Sequence, residues 1–274
     1  MNRKIFVTYG NSNYYSSLER IGKEAVETGE FDEVLVYTDK DLPMEILQHE
    51  LMKYKRGGGY WLWKPWAILH ALQVADEGDY IFYSDCGNTL YRHGEWESYF
   101  SYLKNNDYLL FYNGGKMKVW TKKLLLEQFH RAIGECYQVM SGAIFLKKNT
   151  SNNLIQQWYD LMFKYPEFVI DVPSCDKSNE PPCFVEHRHD QAVLSCLAYS
   201  KEIRSLEKVT FLPQRAEMLR HNGQAFFHSR ISDDNVRSSA VVEARYKTLI
   251  KDWFVRPYRM LKTKLCLKEI GCAK

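Results

Sequence analysis

An α/β architecture, with a mostly parallel sheet flanked by helices on both faces, is the fold class this 274-residue sequence predicts. Three observations predict it. Strand-like and helix-like segments alternate from the N-terminus, the order expected of βαβ units. The segments Ile5-Phe6-Val7, Val34-Leu35-Val36-Tyr37 and Tyr80-Ile81-Phe82-Tyr83 are continuous apolar runs, as strands covered on both faces require. Glycine or Asx residues punctuate most of the junctions between them.

The first strand is expected over 4–9, followed by a helix over 14–28. A second strand over 33–38 leads to a helical pattern over 43–52. Then comes a glycine and aromatic loop, Gly57-Gly58-Gly59-Tyr60-Trp61-Leu62-Trp63-Lys64-Pro65, whose proline suits the first position of a helix over 65–76. The strand over 79–85 ends abruptly on Asp85. Helices over 95–105, 121–132 and 150–164 and strands over 107–113 and 142–147 continue the alternation. A last helix over 192–199 opens after His187-Arg188-His189-Asp190-Gln191. A helix runs antiparallel to the strand that follows it, so the helix at Pro65 starts on the rim where Asp85 emerges. Rims of that kind bind ligands in open α/β sheets.

Residues 1–244 read as one domain. Within it, 166–188 carries Pro166, Pro173, Pro181 and Pro182 with little periodicity, and reads as a long loop able to fold over a substrate. From 245 to 274 the composition shifts. Nine Lys or Arg stand against Asp252 and Glu269, a net +7, which leaves −4 for the rest of a chain of net charge +3. Tyr246, Leu249, Ile250, Trp253, Phe254, Tyr258, Leu261 and Leu265 fall on one helical face. A basic amphipathic C-terminal helical tail of this kind suits an anionic membrane surface.

Composition excludes several classes. The net charge is too small to imply nucleic acid. No apolar run approaches the roughly 18 residues of a membrane span. The seven cysteines are odd in number and lack paired zinc-site spacing, which reads as reduced thiols in a cytoplasmic protein. Aromatics at 15% suit either a tyrosine-rich core or a cleft that stacks on rings.

Five clusters carry candidate chemistry. Asp85-Cys86-Gly87 offers one strand-end carboxylate for a hard divalent ion, with Gly87 where a second carboxylate would stand, letting the backbone approach a ligand closely. Gly57, Gly58 and Gly59 give a loop free to wrap phosphate, and Arg56 and Lys64 flank them and bring positive charge to a diphosphate. Ser141-Gly142 leaves an open strand entrance for a sugar ring. Asp190, in the first turn of a helix, stays ionised and suits a general base. His228 follows the short strand Ala225-Phe226-Phe227 as a metal-ligand candidate, with His221 its competitor, and Arg230 faces a diphosphate.

Gly-Tyr-Trp-Leu-Trp-Lys-Pro, Tyr-Ser-Asp-Cys-Gly, Met-Ser-Gly and Arg-His-Asp-Gln, in this order over about residues 3–235, resemble GT-A glycosyltransferases. More narrowly they resemble bacterial enzymes that build capsule, O-antigen or other surface glycans. The resemblance implies a UDP-sugar donor (UDP-galactofuranose for some relatives), Mn²⁺ or Mg²⁺, and a glycan or lipid-linked acceptor. It implies Asp85 and His228 as metal ligands, Lys64 and Arg56 on the diphosphate, Tyr9 and Asp39 beside the nucleoside, and Asp190 as the base. Inversion is the expected course, with retention the alternative, since no sequence feature fixes where the base lies relative to the sugar. Ser84, Ser141, Gly142, His189 and Arg230 complete the implied donor contacts. A peripheral position on the inner face of the cell membrane follows from the tail. Two rivals stand beside this expectation. A sugar nucleotidyltransferase would carry an N-terminal glycine-rich phosphate loop, which Val7-Thr8-Tyr9-Gly10-Asn11-Ser12 is not. A non-catalytic glycan- or membrane-binding protein would need neither Asp85 nor Asp190.

Overall fold

Seven strands build the central sheet of the computed structural model, which describes residues 2–129, 133–151, 153–203, 205–206 and 225–232. The strands are β1 (Lys4–Tyr9), β2 (Glu33–Tyr37), β3 (Tyr80–Ser84), β5 (Tyr108–Lys116), β6 (Tyr137–Val139), β7 (Ala143–Lys147) and β8 (Ser205–Leu206). A separate two-stranded ribbon pairs β4 (Thr89–Leu90) with β9 (Phe226–Phe227). The sheet runs β2–β1–β3–β7–β5–β6, with β8 beside β5. β1 pairs with β2 and β3 in parallel, whereas β7 runs antiparallel between β3 and β5, and β6 antiparallel to β5. The sheet is therefore mostly parallel in strand direction, with β6 and β7 reversed.

The helices are α1 (Tyr15–Thr28), α2 (Met44–Leu47), α3 (Gly57–Tyr60), α4 (Trp63–Val74), α5 (Glu95–Leu103), α6 (Met117–Trp120), α7 (Lys123–Leu126), α8 (Leu154–Lys164) and α9 (His189–Ser200). They cover both faces, as the unbroken apolar strands demand. On one face Ile5, Val7, Ile81 and Ile144 pack with Ile68 of α4, Trp158 of α8 and Val193 of α9. On the other, Phe6, Phe82, Phe111, Phe145 and Phe226 form an aromatic core with Trp96 and Phe100 of α5. Phe82 and Phe145 stack with centroids 4.0 Å apart. Much of the aromatic excess is therefore core packing, offset rings favouring one another beyond the area they bury.

Several expected boundaries move. The pattern over 43–52 divides into α2 and a 3₁₀ turn over Glu50–Lys53, because the His49 ring accepts the Leu51 N–H and starts a new turn. α4 begins at Trp63, so Pro65 sits third in the helix. The pattern over 121–132 forms only α7 among the described residues. The boundary at 244, the tail over 245–274 and His221 lie outside the described residues.

Two registers position the site. Ser84 pairs with Ala143, so the entrance to β7 meets the exit from β3, and the Asp85 amide donates to the Gly142 carbonyl at 3.0 Å. Thr89 pairs with Phe227, which sets Asn88 opposite His228.

Candidate active site around a buried lysine

Lys64 lies in the first turn of α4 with its side chain only 2% exposed. An ammonium cannot be buried without partners. Its Nζ stands 3.1 Å from Asp85 Oδ1, 3.0 Å from Asp190 Oδ2 and 3.4 Å from Ser141 Oγ. Burial alone would pull the lysine pKa down, but Asp190 and Asp85 outweigh it and the net direction is up. One ammonium thus bridges two carboxylates from separate elements, the exit of β3 and the first turn of α9.

The two carboxylates differ. Asp190 is 6% exposed, and its backbone carbonyl accepts from Trp158 Nε1 at 3.0 Å, which pins the start of α9 to α8. Asp85 is 28% exposed and is the open member of the pair. Tyr83, whose phenol is pushed well up by burial and then by Asp85, donates to Asp85 Oδ1 at 2.8 Å. Lys64 and Tyr83 both hold Oδ1, which turns Oδ2 toward Gly142. A Cβ on Gly142 would stand 2.7 Å from Asp85 Oδ2 and 3.6 Å from His228 Cε1. Glycine is required there because the carboxylate and the imidazole converge on the space a side chain would fill.

Gly87 has a different reason. A Cβ there would meet the Ile231 carbonyl oxygen at 3.1 Å and the Arg230 Cα at 3.4 Å, and the Ile231 N–H donates to the Gly87 carbonyl at 2.9 Å. The place read from sequence as close approach to a ligand is taken by the chain's own 230–231 backbone. That crossing also explains why no second carboxylate follows Asp85, and it brings His228 to the site instead.

Among the described residues no group of three or more His, Cys, Asp or Glu is arranged to hold a metal. Asp85 Oδ2 and the imidazole edge of His228 nonetheless form a two-donor O,N pair on an open rim. Such a pair fits a hard divalent ion whose remaining ligands are diphosphate oxygens or water.

The rest of the rim is more occupied. Tyr9, at the end of β1, is buried and stacks on Trp63 at 4.1 Å, so one face of its ring is covered. Asp39 accepts from Tyr15 Oη at 2.6 Å. Ser84 is fully buried and accepts from Asn88 Nδ2 at 2.8 Å, a structural contact. The three glycines do not wrap phosphate. Gly57, Gly58, Gly59, Tyr60 and Trp61 all have positive φ, a conformation glycine tolerates and L-residues resist. The N–H groups of 58–62 bond to carbonyls within 54–59, leaving none of them to cradle an anion. Gly57 is needed because a Cβ would stand 2.4 Å from the Trp61 ring.

Arg56 binds both Asp171 oxygens, at 3.0 and 3.2 Å, and also Glu186. Tyr60 Oη donates to the same Asp171 at 2.8 Å. His189 has positive φ, gives its Nδ1 to the Val169 carbonyl at 2.7 Å and stacks against Trp61. Burial lowers its pKa. Lys122 Nζ, its pKa pulled down to about 8 by burial, donates to the Ile170 carbonyl at 2.8 Å. The 166–188 segment is therefore fastened at Val169–Asp171 and at Glu186, and Arg56 and His189 belong to that fastening.

The structure brings Lys64, Asp85, Ser141, Gly142, Asp190, His228 and Arg230 to one place. Sequence reading missed Tyr83 and Asn88. Tyr83 was visible only as a strand residue. Asn88 carried the signal of a polar residue just past the Asp-Cys-Gly turn, but its partners, Gly142 and His228, lie 54 and 140 residues away.

No family model matches the chain, and no curated protein matches it in sequence. Solved structures similar to it include a glycosyltransferase involved in glycosylation of the major capsid of PBCV-1, at 10% identity, covering 90% of this chain and 98% of that one, with a TM-score of 0.47. The galactosyltransferase LgtC with donor and acceptor sugar analogs is 12% identical over 71% of this chain and 70% of its own, at 0.38. A 4-diphosphocytidyl-2C-methyl-D-erythritol synthase from Anaerococcus prevotii is 12% identical over 90% and 98%, at 0.41. Likenesses at this level span more than one chemistry and carry no argument about this chain. Its own side chains must carry it.

Proposed function

We propose that this protein is a metal-assisted glycosyltransferase of the GT-A type, moving a hexose from a UDP-sugar to a glycan or lipid-linked acceptor of surface polysaccharide. The observation that supports it is the buried Lys64 ammonium bridging an open carboxylate, Asp85, and an enclosed one, Asp190, beside His228 on the ligand-binding rim of the sheet. Asp85 and His228 would hold Mn²⁺ or Mg²⁺, which neutralises charge on the departing diphosphate. Arg230, whose Nε donates to His228 Nε2 at 3.1 Å, would face the phosphates. Lys64 is a positioning residue in this reading, since its ammonium is spent on the carboxylates. Asp190 would take the proton of the acceptor hydroxyl with inversion at the anomeric carbon. Ser141 and Gly142 would floor the sugar site. The basic 245–274 tail would bring the enzyme to a membrane carrying a lipid-linked acceptor.

One observation favours a second reading of Asp190. Asp190 Oδ2 is already engaged by the Lys64 ammonium at 3.0 Å, and Asp190 would then orient the donor sugar in a retaining transfer. A thermal-shift series tests the broader proposal. UDP with Mn²⁺ should raise the melting temperature, and UDP with excess chelator should raise it much less. At about 100 times the dissociation constant, bound ligand adds roughly 2.7 kcal/mol. Equal stabilisation with and without chelator would remove the metal. Stabilisation only by nucleoside triphosphates would favour a nucleotidyltransferase.

A further inference from the structure

Asn88 is 1% exposed and sits where three elements meet. Its Nδ2 lies 2.8 Å from Ser84 Oγ and 2.8 Å from the Gly142 carbonyl, and its Oδ1 lies 2.7 Å from His228 Nδ1. The orientation of the amide is decided by chemistry. The Gly142 carbonyl can only accept, so the NH₂ must face it and the amide oxygen must face His228. An amide oxygen can only accept in turn, so His228 Nδ1 carries the proton; Nε2 carries the lone pair because Arg230 Nε, which can only donate, faces it. The ring is further placed by the β4–β9 ribbon, which holds Thr89 opposite Phe227. The lone pair is already engaged: Arg230 Nε donates to His228 Nε2 at 3.1 Å. Arg230 reaches it from a backbone with φ of 56°, unfavourable for an L-residue.

We propose that Asn88 is a positioning residue that fixes His228 as the Nδ1–H tautomer, and that the Arg230 guanidinium caps the Nε2 lone pair until a divalent cation displaces it. The inference rests on the metal site proposed above and adds to it a competition for one lone pair. The cation and the guanidinium cannot share that lone pair, so seating the metal releases the Arg230 Nε–H from the ring.

Two measurements on the full chain test it, and neither depends on sugar transfer. Nitrogen-15 NMR of His228 without metal should show a protonated Nδ1 and an unprotonated Nε2, and Asn88→Leu should mix the tautomers. An Nε2–H tautomer in the parent overturns the role of Asn88 whatever the protein binds. The second measurement titrates Mn²⁺ alone, followed by electron paramagnetic resonance. Arg230→Gln should bind Mn²⁺ several-fold more tightly than the parent, because the competing donor is weakened. Asn88→Leu should bind it roughly 10-fold or more weakly, the usual cost of losing a ligand's orienting partner. Parent-like or weaker binding by Arg230→Gln overturns the cap. Should Asn88→Leu fail to fold, Asn88→Asp keeps an oxygen on His228 Nδ1 and should retain the parent tautomer; a changed tautomer there overturns the assignment. No Mn²⁺ binding by the parent overturns the metal site and the cap together, while the tautomer result still judges Asn88.

Discussion

Lys64 is the residue with the clearest energetic consequence. Lys64→Met would leave Asp85 and Asp190 facing each other without their shared cation, and breaking a buried pair costs about 3–5 kcal/mol. The pH dependence has a definite sign. The lysine value is raised in the fold, so its contribution is complete below the ordinary 10.5 and is lost as the pH climbs through the higher folded value. Urea unfolding should show a large gap between parent and Lys64→Met near neutral pH that, on the alkaline side, narrows under strongly alkaline conditions. A variant as stable as the parent at neutral pH would show that the bridge does not form. Asp190 calls for a different substitution. Asp190→Asn keeps the shape and loses the charge. If Asp190 is the base, donor binding should persist while the transfer rate falls by roughly 10²–10⁴. A rate within a few-fold of the parent would move Asp190 to the donor-orienting role.

At the scale of elements, the 166–188 segment shows where local pattern stops being informative. Its prolines identified a loop. Its fastening depends on Arg56, Tyr60, Lys122 and His189, partners from elsewhere in the chain. The Arg56 pairs are well exposed, so each is worth about 0–1 kcal/mol. Arg56→Ala should therefore leave the melting temperature nearly unchanged. Hydrogen exchange should rise across about residues 171–186 and little elsewhere. Unchanged exchange there would show that Arg56 does not hold the segment. β3 and Asp85 were readable because a continuous apolar run ending in a carboxylate is a local signal. The reversed direction of β7 was not, because a short apolar run reads the same in either direction. The Gly57–Gly59 stretch misled for a related reason. Glycine reports backbone freedom, not what uses it, and here the chain's own Trp61 and Met52 do.

For the molecule as a whole, the α/β class was legible because it depends on alternation and on strands buried on both faces. The site was legible in part. Lys64, Asp85 and Asp190 were each identifiable as chemistry-bearing residues at element ends, but their meeting around one ammonium is a product of α4, β3 and α9 converging on a single rim. That convergence is what supports the proposed UDP-sugar transferase, and UDP release tests the proposal most directly. The parent chain with Mn²⁺, a panel of UDP-hexoses including UDP-galactofuranose, and a glycan acceptor mixture would be compared with Asp85→Ala, folded as judged by its melting transition. Release of UDP from at least one donor by the parent, and its loss in Asp85→Ala, is the predicted result. UDP release undiminished in Asp85→Ala, or no release from any donor while UTP and a sugar phosphate yield pyrophosphate, would contradict it.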